Sequence, residues 1–169
     1  MELEFLTNQM GKHAESIQSL TAGITAEQAR WKPDPKAWSI LEVINHLYDE
    51  ERADFRVRVA LTLQQAAEPW PPINPEGWVT ERLYNQRDLA QSVEDFLAER
   101  QKSLDWLRGL KAPNWQASVT VPFGKFFAGD ILAAWVAHDL LHLRQLVELH
   151  WAYTLLTAQP YHVNYAGEW

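Results

Sequence analysis

The sequence predicts an all-α protein: a four-helix bundle with a short extended or hairpin connector before the last helix. Two features of the 169 residues lead to this prediction. Apolar residues recur three and four positions apart over four long stretches, which is the spacing of amphipathic helices that pack as a bundle. Clusters of proline and glycine separate these stretches and mark loops. Because no internal repeat or low-complexity tract divides the chain, we expect one domain over residues 1–169.

The first helix is predicted from a stripe of apolar positions near the start of the chain. Its members, three or four residues apart, are Leu3, Leu6, Met10, His13, Ile17, Leu20 and Ile24. Gly23 is suited to end this helix, because glycine readily adopts the left-handed conformation found there. A short helical turn follows, in which Thr25 and Gln28 have the spacing of a capping box.

The second helix is predicted over residues 40–67. Ser39 is placed to cap it, Glu42 lies three residues further on as in a capping box, and Trp38 is placed to pack onto the first turn. The stretch EPWPPINPEGW that follows contains four prolines and one glycine. This composition predicts a surface loop over residues 68–78.

The third helix is predicted over residues 89–107 and is closed by Pro113. The stretch ASVTVPFGKFF, residues 117–127, alternates briefly between polar and apolar positions, which favours the extended or hairpin connector. The fourth helix is predicted to begin after Asp130 and to continue to about Leu156. Its first half is apolar almost all round, so we expect it to be the most buried element.

Composition restricts the possible functions. The chain has 22 acidic and 15 basic residues and a formal net charge of -7, which disfavours binding to nucleic acid. There is no cysteine, so a disulfide framework, a cysteine nucleophile and a thiolate metal site are excluded, and a transition-metal site must use His, Asp or Glu. No signal peptide is visible and the longest apolar run, ILAAWVA, is too short to span a membrane, so we expect a cytoplasmic protein.

Two histidines lie four residues apart in the predicted fourth helix, in the stretch AHDLLHLRQL. Residues at this spacing share one helix face, so His138 and His142 could bind one metal ion or pack as a hydrogen-bonded pair. The stretch lacks the glutamate that directly follows the first histidine in the helical motif of zinc proteases. The spacing alone leaves both interpretations open.

A third histidine, His46, lies one to two turns into the predicted second helix. Helical bundles build metal centres from side chains on facing helices, so His46 could supply a third ligand beside His138 and His142. Three neutral imidazoles would leave coordination positions open for water or substrate, as in catalytic sites. The alternative is that His46 faces solvent beside Asp49 and Glu50.

Three polar residues near these histidines are candidates for supporting roles. Glu50, one turn after His46, and Asp139 could each accept a hydrogen bond from a metal-bound imidazole. Glu50 could instead be a fourth ligand or the catalytic general base, and both acids could be ordinary surface residues. Gln145, one turn after His142, could orient that ring.

The other histidines and one tryptophan have simpler interpretations. His13 lies in the apolar stripe of the first helix and is predicted to be a hydrogen-bonded core residue. His150 and His162 are predicted to lie at the surface. Trp135, one turn before His138, could line the metal pocket or pack in the core.

The combination of these segments resembles the DinB-like (DinB/YfiT) superfamily. WSILEVINHLYDEE, followed much later by AHDLLHLRQL, carries the resemblance, and YNQRDLAQSVEDFLAERQKSLDWLRGL resembles the third helix of that family. The likeness extends from about Trp31 to Leu149. It implies a four-helix bundle, often dimeric, in which three histidines hold a divalent metal ion, nickel or zinc. By motif position these ligands are His46, His138 and His142, and all three are present.

The resemblance transfers a fold and a metal site more readily than a substrate. Characterised members of the superfamily include thiol transferases and isomerases that use bacillithiol or mycothiol. We therefore expect a metal-dependent enzyme, in the first place a homodimeric transferase that uses a low-molecular-weight thiol in detoxification or stress response. The alternatives are a metal-dependent hydrolase with Glu50 as general base, and a non-enzymatic bundle that binds a metal or small ligand.

Overall fold

Four long helical stretches form the bundle, in a computed structural model that describes residues 2–167. The helices are α1 (Leu3–Thr21), α2 (Ala26–Arg30), α3 (Ile40–Asp49), α4 (Arg56–Gln64), α5 (Pro75–Glu81), α6 (Leu89–Gly109) and α7 (Ala128–Thr157). The other elements are a π-helical segment (Glu50–Phe55), two 3-10 turns (Tyr84–Gln86 and Asn164–Ala166) and strands β1 (Ser118–Val121) and β2 (Gly124–Phe127). α1 packs against α6 and α7, and α3 packs mainly against α6. The predicted four-helix bundle is confirmed.

The predicted helix starts and stops are mostly correct. α1 ends at Thr21, and Gly23 has a φ of +74°, which glycine adopts without strain. The Thr25 hydroxyl accepts a hydrogen bond from the Gln28 backbone N–H at the start of α2. At the start of α3 the reciprocal capping box of Ser39 and Glu42 is present. These caps satisfy backbone N–H groups that have no partner within the helix.

The predicted second helix is interrupted in a way that the sequence does not indicate. After α3 the backbone widens into the π-helical segment over residues 50–55, and α4 then ends at Gln64 in place of Ala67. Gln65, which follows, has the left-handed φ of 50° that commonly ends a helix. Short π-helical segments are rare and often lie at functional sites. This segment buries the carboxyl groups of Glu50, Glu51 and Asp54.

The prediction of a surface loop over residues 68–78 is wrong in its last part, because α5 begins there at Pro75. Asn74 caps this helix by accepting a hydrogen bond from the Gly77 N–H at 3.1 Å. Proline is well tolerated in the first turn of a helix, since the backbone N–H it lacks would have no helical partner. Trp78 on α5 is buried. Asn74 and Pro75 therefore start a helix within the predicted loop.

The connector before the last helix is a hairpin, as predicted. β1 and β2 pair antiparallel, with Val121 opposite Gly124 and a two-residue turn between them. β2 leads directly into α7, whose start is fixed by the Asp130 carboxylate accepting the Phe127 N–H at 2.9 Å. α7 thus begins two residues before the predicted Asp130 boundary.

The prediction that α7 is the most buried element is wrong. Leu140 and Leu141 are 54% and 57% exposed, and Val147 is 38% exposed. The most buried element is α3, in which every residue from Ile40 to Leu47 is buried. We call the exposed residues Leu140, Leu141, Arg144, Val147 and Glu148 the outer face of α7. Among the described residues, no helix is long and apolar enough to cross a membrane.

The bundle interior has two apolar clusters with a polar layer between them. The first cluster contains Ala14, Ile17, Ile40, Val43, Ile44, Leu47, Phe96, Leu146 and Leu149. The second contains Met10, Val59, Leu104, Leu107, Ile131, Leu132, Trp135 and Val136. Along each long helix, the positions between the two clusters carry buried polar groups. We call five of these residues the polar layer: His13, Glu51, Arg100, Ser103 and Asp139.

Candidate metal centre

Three imidazole rings converge at the level of the polar layer. His46 projects from α3, while His138 and His142 project from one face of α7 because they are four residues apart. The Nε2 atom of His138 lies 3.3 Å from Nε2 of His46 and 3.1 Å from Nε2 of His142. One nitrogen from each ring lies within 4.8 Å of the other two. The three residues form a three-histidine cluster with donors from two helices.

This spacing fits a common metal ion. With metal–nitrogen bonds of about 2.0–2.1 Å, neighbouring ligand nitrogens lie roughly 2.8–3.4 Å apart in octahedral or tetrahedral coordination. A purely hydrogen-bonded trio fits less well, since each neutral ring carries only one proton. His142 already directs Nδ1 to the Gln145 side-chain oxygen at 2.8 Å, which leaves its Nε2 with a free lone pair. The predicted role of Gln145 in orienting this ring agrees with the structure.

The rings are held in the neutral form that binds metals. Burial, together with the neighbouring His142 and His138, lowers the pKa of His46 from 6.5 to about 2. Burial and His142 lower the pKa of His138 to about 4, and burial lowers the pKa of His142 as well. The lone pairs are therefore free of protons at neutral pH, because desolvation disfavours the imidazolium form.

Two aromatic side chains flank the cluster. The Trp38 ring lies 4.9 Å from the His46 ring and stacks parallel to the His142 ring at 6.4 Å, while Phe55 lies 5.1 Å from the His138 ring. Trp135 was predicted either to line the metal pocket or to pack in the core, and it packs in the core. It donates its indole N–H to Glu51 at 2.8 Å. Trp38 and Phe55 thus shield the three rings from bulk water.

Glu50 is not a surface residue. The residue is only 4% exposed, and its Oε1 atom lies 3.8 Å from Nδ1 of His46. Both atoms are buried and have no hydrogen-bond partner among the described residues. Nδ1 is the other ring nitrogen from the Nε2 that faces His138, so Glu50 approaches His46 from the side of the ring away from His138. This position suits a carboxyl group that orients a ligand imidazole.

The Glu50 carboxyl belongs to a pair of buried acids. Burial raises its pKa from 4.5 to about 8, and the charge of Asp54 and a hydrogen bond with it contribute further. Asp54 is itself buried and forms an ion pair with Arg58. Because two adjacent carboxylates repel each other, the pair retains a proton at neutral pH.

Asp139 has a different role from the one predicted for an acid beside a metal ligand. It accepts two hydrogen bonds from the Arg100 guanidinium, each at 2.7 Å, and contacts Nδ1 of His13 at 3.2 Å. Among the described residues, its hydrogen-bond partners are His13 and Arg100, and not His138, its neighbour in the chain. Although burial favours the neutral acid, Arg100 holds the pKa of Asp139 below its usual value. Asp139 therefore remains a buried carboxylate within the polar layer.

The remaining histidines lie outside the cluster. His13 is buried and bonded to Asp139, as expected for a satisfied core histidine. The prediction that His150 lies at the surface is wrong, because it is half-buried, with its Nε2 atom 2.7 Å from the Leu20 carbonyl oxygen. His162 is exposed, as predicted.

Sequence reasoning missed Phe55, Asp54 and Arg58, and it assigned Trp38 only to the helix start. A signal for two of them was present: His46, Glu50, Asp54 and Arg58 succeed one another at intervals of four residues. Such a series places ionisable groups along one helix face, where neighbours interact. Phe55 gave no comparable signal, since its position depends on the π-helical turn.

In metal-free protein, Glu50→Gln is expected to become progressively more stable than the wild type between pH 6.5 and 8. The folded wild type holds a proton on Glu50 up to about pH 8, whereas the unfolded chain loses it near 4.5. The stability that this proton contributes is complete below pH 4.5 and is lost as the pH rises through 8. The difference in unfolding free energy should grow by about 1 kcal/mol per pH unit, measured by urea unfolding with a chelator present.

The wild-type protein measured in parallel is the control, since glutamine has nearly the same shape as glutamate and does not titrate. The three clustered histidines do not interfere in this range, because their pKa values are lowered from 6.5. A difference that stays constant with pH would contradict the raised pKa of Glu50.

Comparisons with known proteins agree with this fold. The sequence model described as the DinB superfamily matches residues 9–146, a span that contains all three clustered histidines. Among solved structures, the chain is similar to YfiT from Bacillus subtilis, described as a probable metal-dependent hydrolase with an unusual four-helix bundle topology. The TM-score is 0.77 at 16% identity, over 88% of this chain and 85% of YfiT, so this likeness is one of fold. No curated protein sequence matches significantly.

Proposed function

Because the chain belongs to the DinB superfamily, we propose that it is a divalent-metal-dependent hydrolase whose ion is held by His46, His138 and His142. The observation that carries this proposal is the convergence of three neutral imidazole nitrogens from two helices. Three ligands leave coordination positions open, which is typical of catalytic and not of structural sites. The description of YfiT as a probable metal-dependent hydrolase supports the same reaction class. Zinc and nickel are the ions we propose, since both bind imidazole well.

The protein residues around the ion would position it and its substrate. Gln145 holds His142 with its Nε2 atom turned toward His138, and Glu50 approaches Nδ1 of His46. A cavity of about 330 Å³ is lined in part by Trp38 and Gln145, which contact the clustered histidines from its side, and we propose it as the place where a small organic substrate binds. A bound ion would supply Lewis acidity and lower the pKa of water. In this proposal Glu50 orients the His46 ring, because its carboxyl faces the side of that ring away from His138; its role as general base stays a prediction.

Elemental analysis and paired activity assays test this proposal. Protein purified without chelators should contain close to one equivalent of zinc or nickel and should hydrolyse ester or amide substrates. Treatment with a chelator should remove the metal and the activity together, and addition of the metal should restore both. A protein that neither contains nor takes up a divalent metal would contradict the proposal, and stoichiometric metal without turnover would favour a non-enzymatic metal-binding bundle.

A thiol transferase is the second function to test, because the open coordination positions of a three-histidine centre could bind a thiolate. The chain contains no cysteine, so a sulfur nucleophile would have to come from a low-molecular-weight thiol such as bacillithiol or mycothiol. Coordination to a divalent metal deprotonates a thiol and so prepares it to attack an electrophile. Conjugation of an electrophile that depends on both the thiol and the metal, without ester or amide hydrolysis, would favour this function.

We also propose that the outer face of α7 joins two copies of this chain. Leu140, Leu141 and Val147 are exposed on one side of a long helix, and such apolar surfaces commonly mark interfaces. Arg144 and Glu148 lie among them and are both exposed. Around a twofold axis the arginine of one copy can face the glutamate of the other, so the surface is complementary to itself.

Leu140→Glu is expected to convert the dimer to a monomer or to weaken it at least about tenfold, because each interface would bury two carboxylates without partners. Light scattering after size-exclusion chromatography, over a range of concentrations, measures this change. Phe5→Glu is the matched control, since Phe5 is equally exposed but lies on α1. A monomeric wild type, or equal effects of the two substitutions, would contradict this interface.

A further inference from the structure

Four ionisable side chains follow one another along the helix that carries the first metal ligand. They are His46 on α3, Glu50 and Asp54 on the π-helical segment, and Arg58 on α4, each four residues after the previous one. Glu50 and Asp54 are buried, and the Arg58 side chain is only 17% exposed. Burying a row of charged groups destabilises the fold unless the groups form ion pairs or hydrogen bonds with one another. We call these four residues the ionisable row.

Contacts along the ionisable row run from the metal centre outward. Oε1 of Glu50 lies 3.8 Å from Nδ1 of His46, and neither atom has a hydrogen-bond partner among the described residues. Asp54 contacts Glu50 and forms an ion pair with Arg58. The Arg58 guanidinium lies 4.8 Å above the Trp70 ring, which restricts its movement. Arg58, the member of the ionisable row farthest from the metal centre, is thus held by both Asp54 and Trp70.

We propose that Arg58 is a positioning residue for the metal centre: by holding Asp54, it keeps the Glu50 carboxyl against Nδ1 of His46. This inference rests on the proposed function, since it concerns the same three-histidine cluster. Without Arg58, Asp54 would lose the ion pair that fixes its position, and the Glu50 carboxyl bonded to it would no longer be held in place. Glu50 would then leave His46, and the imidazole would lose the group that orients it. Such outer partners typically contribute 10–100-fold to metal affinity.

The same helix provides a matched control. Arg56 is two residues before Arg58, its side chain is 22% exposed, and it also binds a carboxylate, that of Glu99. It lies outside the ionisable row and bonds to α6 through Glu99 and Ser103. If Arg58 served only to stabilise the fold, Arg56→Met and Arg58→Met should have similar consequences for the protein. Only the positioning role predicts different consequences for metal binding.

The experiment measures zinc affinity by chelator competition, and the visible absorption of the cobalt-loaded protein, for four variants and the wild type. Arg58→Met should weaken zinc binding about tenfold and change the cobalt spectrum, because the position of the His46 ring changes. Arg58→Lys, which keeps the positive charge, should restore most of the affinity. Asp54→Asn should weaken zinc binding as Arg58→Met does. It provides a second test if Arg58→Met folds poorly, because it removes the carboxylate that Arg58→Met leaves without a cation. Arg56→Met should bind zinc like the wild type.

The outcomes separate this inference from the proposed function. Equal zinc affinities and cobalt spectra in Arg58→Met, Asp54→Asn and the wild type would overturn the inference and leave the metal centre intact. Equal losses in Arg56→Met and Arg58→Met would also overturn it, since they would indicate a general loss of stability. A wild type that binds neither zinc nor cobalt would overturn both.

Discussion

Arg100→Met is expected to lower the free energy of unfolding by about 3–5 kcal/mol, because it leaves two buried carboxylates without a cation. The Arg100 side chain is almost fully buried. It donates two hydrogen bonds to Asp139 at 2.7 Å, one to Glu51 at 2.7 Å and one to the Met10 carbonyl at 3.0 Å. These bonds connect α6 to α1, α7 and the π-helical segment. Urea unfolding at neutral pH, monitored by tryptophan fluorescence, measures the loss.

Arg52→Met is the control for this prediction. Arg52 also pairs with a buried acid, Asp49, but its side chain is 41% exposed and Asp49 keeps Tyr84 and Arg82 as partners. We expect its loss to cost no more than about 1 kcal/mol, the usual range for a partly exposed ion pair. If Arg100→Met lowered the free energy of unfolding by no more than about 1 kcal/mol, the polar layer would contribute little to stability.

His46→Ala is expected to weaken metal binding more than about 100-fold and to abolish metal-dependent activity. His46 is the sole ligand that α3 supplies, so its loss leaves two nitrogens on one helix, and removing a ligand should exceed the 10–100-fold effect of removing an outer partner. Elemental analysis after dialysis and chelator competition measure the metal, and hydrolysis assays with added metal measure the activity. His142→Ala should behave in the same way.

His150→Ala is the matched control for the ligand variants. His150 lies on α7 like His142 and is half-buried, but it bonds to the Leu20 carbonyl far from the cluster. We expect this variant to retain its metal and activity while losing some stability. Far-UV circular dichroism should establish that all three variants are folded. Full metal content in a folded His46→Ala variant would contradict the proposed ligand set.

The bundle could be predicted because apolar spacing alone determines it. Each long stretch repeats apolar residues at helical intervals, and the capping pair of Ser39 and Glu42 marks a helix start without reference to the rest of the chain. The π-helical segment could not be predicted, since its residues have ordinary helical propensities and the wide turn arises from packing. The exposed leucines of α7 were missed for a related reason: composition indicates how apolar a helix is, and not which side has a neighbour.

The metal cluster was predicted in part. The spacing of His138 and His142 placed them on one face, bundle architecture made His46 a possible third ligand, and the family resemblance favoured that interpretation over exposure to solvent. Asp139 shows the limit of local reasoning, because its partners His13 and Arg100 lie 126 and 39 positions away in the chain. Long-range pairing of buried charges has no periodic signature in the sequence. Gln145 was found because its contact with His142 is local.

The π-helical segment between α3 and α4 also determines which elements each of these two helices contacts. Each residue of a regular α-helix adds about 100° of rotation about the helix axis. The wider π-helical turns depart from this value, so they change the direction in which the side chains of α4 point. α3 directs its contacts mainly to α6, while α4 directs its contacts to α7 and the hairpin. Because a π-helical turn accommodates one residue more than an α-helical turn, a one-residue deletion within residues 50–55 is expected to restore a regular helix there, and homologues that are shorter in this segment should differ in which side chains surround His46.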